Sequence, residues 1–230
     1  MEFILDTANI DAIKKYMSVI PLSGITTNPS IVKKEGKIPF FKQMKEIKQL
    51  IGDNRTFHIQ VVGVSTKEII DDAHTIQNEI GADVYIKIPT NEAGLSAMKI
   101  LKDEGAKITA TAIYSTFQGY LAAQIGVDYL APYYNRMVNM NINADQVISN
   151  LSNQINRSNL QTKILAASFH TVQQVNSALE NGALAVTMGP DILSTGLGNS
   201  VISDAVDDFT KDWQTIYGNT TIYSLEKQSN

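Results

Sequence analysis

Along the whole chain, short runs rich in β-branched and aromatic residues alternate with longer amphipathic runs. The β-like runs are Glu2–Asp6, Gly24–Thr26, Thr56–Val62, Asp83–Pro89, Lys107–Ile113, Tyr129–Tyr133, Lys163–Ser168 and Leu184–Met188. Between them lie stretches with helical spacing of apolar positions, such as Thr66–Glu79 and Glu92–Glu104. Gly81, Gly105, Gly126 and Gly182 stand just before a following strand, where a helix stop belongs. Strands alternating with helices predict βαβ units and a parallel sheet. Eight such units in 230 residues favour an α/β fold of one closed (β/α)8 TIM barrel over an open sheet. A nucleotide-binding open sheet wants a glycine-rich loop after its first strand, and the residues there are Asp6-Thr7-Ala8-Asn9. A single domain over 1–230 is expected, with a terminal helix over Val201–Tyr217, a stop at Gly218 and a polar tail over 219–230.

Composition narrows the function classes. Hydrophobic residues are 43% and charged residues 18%, ordinary for a packed globular chain. The net charge is −4, and no dense Lys/Arg block occurs, which argues against nucleic acid or an anionic membrane as partner. The absence of cysteine removes disulfides, zinc ribbons and thiol nucleophiles. No apolar run is long enough to span a membrane, and the start, MEFILDT, lacks the positive charge of a signal peptide. A soluble, cytoplasmic protein is the expectation.

Barrel enzymes place their chemistry at the C-terminal ends of the strands. The polar residues there are Asp6, Thr26-Thr27-Asn28, Gln60, Lys87, Thr109 with Thr111, Tyr133 followed by Asn135-Arg136, and Ser168. Lys87 stands in Val84-Tyr85-Ile86-Lys87-Ile88, where alternation sets it opposite three branched residues. If those pack outward under the helices, Lys87 points into the barrel. Burial lowers the pKa of an amine, and a neutral amine attacks carbonyls. The competing reading is a lysine that snorkels to water from a strand end. Asp6 could instead cap the next helix, although Asn9 or Thr7 can do so. Tyr133 could be a packed rim aromatic rather than a proton relay. Arg136 suits a phosphate or an ordinary ion pair, and Asn28 and Ser168 could be turn or cap residues. His58, His74 and His170 match no metal-ligand spacing, and no G-x-S-x-G elbow occurs.

Six segments together resemble the transaldolase family, closest to its fructose-6-phosphate aldolase branch. They are Phe3-Ile4-Leu5-Asp6-Thr7-Ala8, Gly24-Ile25-Thr26-Thr27-Asn28-Pro29-Ser30, Lys87-Ile88-Pro89, Thr111-Ala112-Ile113-Tyr114, Ala131-Pro132-Tyr133 with Asn135-Arg136, and Ala166-Ala167-Ser168-Phe169. The resemblance implies a Schiff base on Lys87, positioned by Asp6 and Asn28, with no cofactor and no metal. It implies a water held by Gln60 and Thr111 beside Tyr133, which handles the proton of the hydroxyl next to the breaking bond. Arg136, Ser168 and Asn135 match phosphate contacts, and Thr26 and Thr27 belong to the substrate-binding segment. Gln60 and Tyr133 match the aldolase branch; transaldolases tend to carry Glu and Phe there. His170, Met188-Gly189-Pro190 and His58 depart from the family pattern. The implied partner is a sugar phosphate. The implied assembly is a homo-oligomer, a pentamer or decamer, with residues 201–217 lying on a neighbouring subunit. The competing functions are transaldolase, which shares the intermediate, and a non-catalytic sugar-phosphate scaffold. A deoxyribose-phosphate aldolase would want a second lysine, and no other strand end offers one.

Overall fold

The structure is a computed structural model that describes residues 1–228. Eight parallel strands close into a barrel in chain order. They are β1 (Glu2–Asp6), β2 (Gly24–Thr26), β3 (Thr56–Gln60), β4 (Tyr85–Pro89), β5 (Ile108–Ile113), β6 (Tyr129–Pro132), β7 (Lys163–Ala166) and β8 (Ala185–Met188). β1 pairs with β8 from Glu2 opposite Ala185 to Leu5 opposite Met188, which closes the ring. Helices follow the strands, as the alternating pattern requires. Val84, Ile86 and Ile88 are fully buried on the helix-covered outside of β4, so Lys87 faces inward by the period of two.

Six strands are shorter than the β-rich runs suggest. β3 stops at Gln60 although Val61 and Val62 continue the pattern, and β6 and β7 stop at Pro132 and Ala166 rather than at Tyr133 and Ser168. At Ser168 the backbone turns to φ 62°, which no strand can continue. β4, β5 and β8 begin at Tyr85, Ile108 and Ala185, one or two residues after the expected starts. The glycine stops fall where expected: Gly105 and Gly126 take φ of 84° and 86° after helices Glu92–Asp103 and Thr116–Ile125.

The chain divides into two compact units, Met1–Ile192 and a second from Leu193 onward. The boundary falls within helix Pro190–Leu197, so no shift of composition marks it. The second unit contains helix Ser200–Tyr217 and, within the stretch expected to be a polar tail, helix Ile222–Gln228. Residues 229 and 230 of that tail lie outside the described residues. None of the residues of helix Ser200–Tyr217 is buried. Ile202, Val206, Phe209, Trp213 and Ile216 recur at alternating steps of four and three along it, a single apolar stripe.

Side chains fill the barrel below the strand ends. Ile4, Tyr129, Leu165 and Ala185 form a buried layer with Tyr85 packed against it. The His58 ring stacks on Tyr85 at 4.6 Å and meets Tyr129 edge-on at 5.2 Å. Its Nδ1 bonds the Thr109 hydroxyl at 2.8 Å and its Nε2 the Thr56 hydroxyl at 2.9 Å. Burial, and then the charge of Lys87, hold His58 well below the ordinary histidine value of 6.5. The folded chain therefore binds fewer protons than the unfolded chain below that pH, and stability should fall as pH drops from about 6.5. One such group withholds up to about 1.4 kcal/mol per pH unit. Urea unfolding of His58→Leu between pH 6.5 and 5 should show a flatter profile than the wild type. Its stability at pH 7 should be lower by about 1–3 kcal/mol, because the buried Thr109 hydroxyl loses its partner and the Thr56 hydroxyl loses one of two.

Candidate active site

The inward-facing positions at the tops of the strands converge. Lys87 is 3% exposed, and its Nζ donates to the Thr27 carbonyl at 2.9 Å. Burial lowers its pKa below the lysine value of 10.5, and the charge of Asp6 opposes that shift. A single carbonyl acceptor satisfies one of the three donors of an ammonium, so the environment suits the neutral amine.

Asp6 ends β1. Helix Ile10–Val19 is capped by Asn9, whose side chain accepts from Ala12 N at 2.9 Å, so the Asp6 carboxylate is not used as a cap. Its Oδ1 accepts from the Thr26 hydroxyl at 2.5 Å, and Thr26 and Thr187 share a hydrogen bond at 2.6 Å. Burial raises the pKa of Asp6, while Lys87, Thr26 and Lys34 pull it down. Asn28 does act as a cap: its Oδ1 accepts from Ile31 N at 3.0 Å at the start of helix Pro29–Lys34. That bond uses its oxygen and leaves its amide nitrogen for the cavity.

Gln60 is paired in register with Lys87. Its Oε1 is buried and has no hydrogen-bond partner among the described residues, which is costly for an acceptor unless something donates to it. Across the mouth, the Thr111 hydroxyl donates to Tyr133 Oη at 3.0 Å. With its oxygen so engaged, the Tyr133 phenol keeps its own proton for the cavity. Burial, the largest influence, raises its pKa. Arg136 lies over the Tyr133 ring, 5.1 Å from its centroid, and its Nη1 donates to Tyr114 Oη at 3.3 Å. The Asn135 backbone N–H donates to the Ser168 carbonyl at 2.9 Å.

One cavity of about 420 Å³ is lined by Asp6, Asn28, Gln60, Lys87, Tyr133, Arg136 and Ser168. Thr26, Thr27, Thr111 and Asn135 do not line it. Thr26 stands behind Asp6, the Thr27 carbonyl behind Lys87, Thr111 behind Tyr133 and Asn135 behind Ser168. The cavity lining also includes the polar residues Ser30, Lys34, Tyr114 and Thr187, which lie outside the strand-end set read from the sequence. Lys34 arrives on a helix rather than a strand end, beyond the reach of strand-by-strand reading. His170 lines the cavity too.

A second cavity of about 480 Å³ lies outside the barrel wall, against the outward-facing Ile59 and Val61 of the β3 segment. It contains neither Lys87 nor Tyr133 and is lined mainly by apolar groups. Among the described residues, no three His, Asp or Glu side chains converge as metal ligands. No helix among them is long and apolar enough to cross a membrane.

Residues 3–220 match the family described as Transaldolase/Fructose-6-phosphate aldolase. Over 222 residues the chain is 50% identical to a protein of Streptococcus pneumoniae named "Probable fructose-6-phosphate aldolase", covering 96% of this chain and 100% of that protein. Among solved structures, a mutant flavocytochrome b2 with benzoylformate superimposes with a TM-score of 0.55 over 74% of this chain and 50% of that one. At 13% identity, that likeness speaks for the fold alone. The family match and the close relative both extend across the barrel that carries the Lys87 cavity, and the chain belongs to the transaldolase/fructose-6-phosphate aldolase family.

Proposed function

We propose that the protein is a Schiff-base aldolase that cleaves or forms the C3–C4 bond of fructose 6-phosphate. The observation that carries this reading is the buried Lys87 amine, with its lowered pKa, in one cavity with Asp6, Gln60 and Tyr133. The amine adds to the C2 ketone and water leaves, giving an iminium. The C3–C4 electron pair then flows into the iminium as the C4 hydroxyl loses its proton. Glyceraldehyde 3-phosphate departs, and an enamine of dihydroxyacetone stays on Lys87. Protonation at carbon and hydrolysis release dihydroxyacetone and the free amine. In the forming direction the neutral Tyr133 phenol gives its proton to the aldehyde oxygen. A water between Gln60 Oε1, Thr111 and Tyr133 serves as relay and supplies the donor that the Gln60 oxygen wants. Asp6 and Asn28 orient the amine and the hydroxyls of the dihydroxyacetone unit. Thr26 and Thr27 hold Asp6 and Lys87 in place from behind. Arg136 and Ser168, braced by Asn135, face the phosphate.

Capture of the same enamine by a second aldose phosphate is the transaldolase outcome, a step of the pentose phosphate pathway. Product analysis decides between them. Fructose 6-phosphate alone should yield free dihydroxyacetone; strict dependence on added erythrose 4-phosphate would overturn the aldolase assignment. A scaffold without chemistry would leave no covalent adduct when borohydride is added with substrate.

The apolar stripe on helix Ser200–Tyr217 is exposed, Phe209 at 72%, and contiguous apolar surface of this kind marks an interface. We assign it to the contact between copies of the chain in a cytoplasmic homo-oligomer, a pentamer or decamer. Sedimentation should give a mass several times that of the 25.2 kDa chain, and Phe209→Glu should lower it. A wild-type monomer at micromolar concentration would refute the assignment.

A further inference from the structure

Two glutamines outside the cavity hold equivalent places in the architecture. Gln118 and Gln174 are each the third residue of a helix, Thr116–Ile125 after β5 and Val172–Glu180 after β7. Each helix opens with a hydroxyl cap, Ser115 or Thr171, which accepts from the glutamine backbone N–H at 3.3 or 3.2 Å. In a capping box, the third residue's side chain reaches back to the backbone N–H of the cap. Glu68 does so at Ser65.

The two glutamines reach the residue before the cap, as Glu68 also does at Val64 N at 3.2 Å, and what sets them apart is the amide nitrogen. Gln118 Oε1 accepts from Tyr114 N at 2.9 Å, and Gln174 Oε1 accepts from His170 N at 2.8 Å. Unlike a glutamate, each also has an amide nitrogen to spend elsewhere. Gln118 Nε2 donates to the Thr90 carbonyl at 2.8 Å and to the Ala112 carbonyl at 3.4 Å. Gln174 Nε2 donates to Asn135 Oδ1 at 2.9 Å. Backbone N–H groups can only donate, and carbonyls can only accept, so these partners fix which way the Gln118 amide points.

The segments so tied contain two strained positions of the cavity lining. Ala112, at a bulge in β5, and Ser168, after β7, are non-glycine residues at φ of 55° and 62°. Such conformations persist only where surrounding bonds over-determine them. Gln118 joins the end of β4, the bulge and Tyr114, the ring that Tyr133 meets edge-on at 5.7 Å and that Arg136 bonds. Gln174 joins Asn135 to His170 across Ser168, whose carbonyl accepts from Asn135.

We infer that Gln118 and Gln174 are positioning residues for the two halves of the mouth. Gln118 sets the Tyr133–Tyr114 side, where the proton is handled, and Gln174 sets the Asn135–Ser168–His170 side, where the anion is held. The inference rests on the Schiff-base reading of Lys87. The test uses Gln118→Met and Gln174→Met in the full chain. Both keep the cap hydroxyl bond and the side-chain volume while removing the amide.

Kinetics are measured in the bond-forming direction with dihydroxyacetone. They are normalised to sites trapped on Lys87 by dihydroxyacetone and borohydride, so misfolded protein does not count. Per trapped site, Gln118→Met should lose about tenfold or more in kcat with little change in KM. Gln174→Met should raise KM for glyceraldehyde 3-phosphate about fivefold or more while leaving KM for unphosphorylated glyceraldehyde unchanged. Wild-type kinetics per trapped site, or equal KM shifts for both aldehydes, would overturn the inference. If a methionine variant gives no trapped sites, the Gln→Glu variant, which keeps the oxygen arm and turns a carboxylate oxygen toward the former acceptors, is read by the same criteria. A wild type that cannot be trapped sinks the Schiff-base reading and this inference with it; a trapped wild type with variants that match it sinks this inference alone.

Discussion

Lys87→Met should show no borohydride-trapped adduct with fructose 6-phosphate or dihydroxyacetone, and its turnover should fall by at least about 10⁴-fold. On the proposed mechanism, removing the amine that forms the covalent intermediate leaves only binding and the remaining donors. The variant should fold. Methionine matches the length of the lysine stem, and the substitution loses one hydrogen bond to the Thr27 carbonyl, about 1 kcal/mol. Against that loss stands the amine itself. Its pKa is lowered in the folded state, so between that lowered value and about 10.4 the unfolded chain binds the extra proton. The stability this lysine withholds at neutral pH returns only as pH rises through that window. Lys87→Met should therefore melt no lower than the wild type at pH 7, and its relative advantage should shrink toward pH 10. The same linkage makes wild-type trapping faster as pH rises, until the amine is fully neutral. Full activity in the methionine variant would remove the basis of the proposed chemistry.

Tyr133→Phe should lose about 10²- to 10³-fold in turnover, the range expected for one general acid–base group. Trapping of dihydroxyacetone on Lys87 should persist, because the amine and its Thr27 and Asp6 neighbours are untouched. The loss arises at carbon–carbon bond making or breaking, where the phenol proton is needed. Because burial raises the Tyr133 pKa, the phenol stays protonated above neutral pH, and the wild-type bond-forming rate should hold level well into the alkaline range. Thr111 would keep its place but lose its acceptor, at a stability cost of about 1 kcal/mol. A phenylalanine variant with wild-type turnover would assign the proton step elsewhere, with the water beside Gln60 as the remaining candidate.

The barrel could be read from the sequence because strand and helix periods alternate without interruption, and because the glycine stops sit before the strands. The strand ends were less legible. Valine at 61 and 62 continues a β-like pattern past the last ladder residue, Gln60, because propensity reports the chain's local preference and not where its neighbour stops pairing. The left-handed turn at Ser168 leaves no mark in composition, since serine is not the residue that such a φ favours. Lys87 could be placed because alternation assigns it a face, and Asp6, Gln60 and Tyr133 because they stand at or near the ends of β-like runs; all four line the cavity. Lys34 escaped because it belongs to a helix, and its place at the mouth depends on the path of helix Pro29–Lys34. The roles of Gln118 and Gln174 had a faint signal in the repeated hydroxyl-x-x-Gln spacing at Ser115 and Thr171, but ordinary capping boxes look the same in one dimension.

The packed rings of His58, Tyr85 and Tyr129 fill the interior beneath Lys87, so the amine is reached through the opening at the C-terminal ends of the strands. Both reactants must pass through that opening. An aldehyde that entered ahead of the ketone would sit between it and the nitrogen. On the proposed Schiff-base mechanism, ordered kinetics are expected, with the ketone binding before the aldehyde and leaving after it.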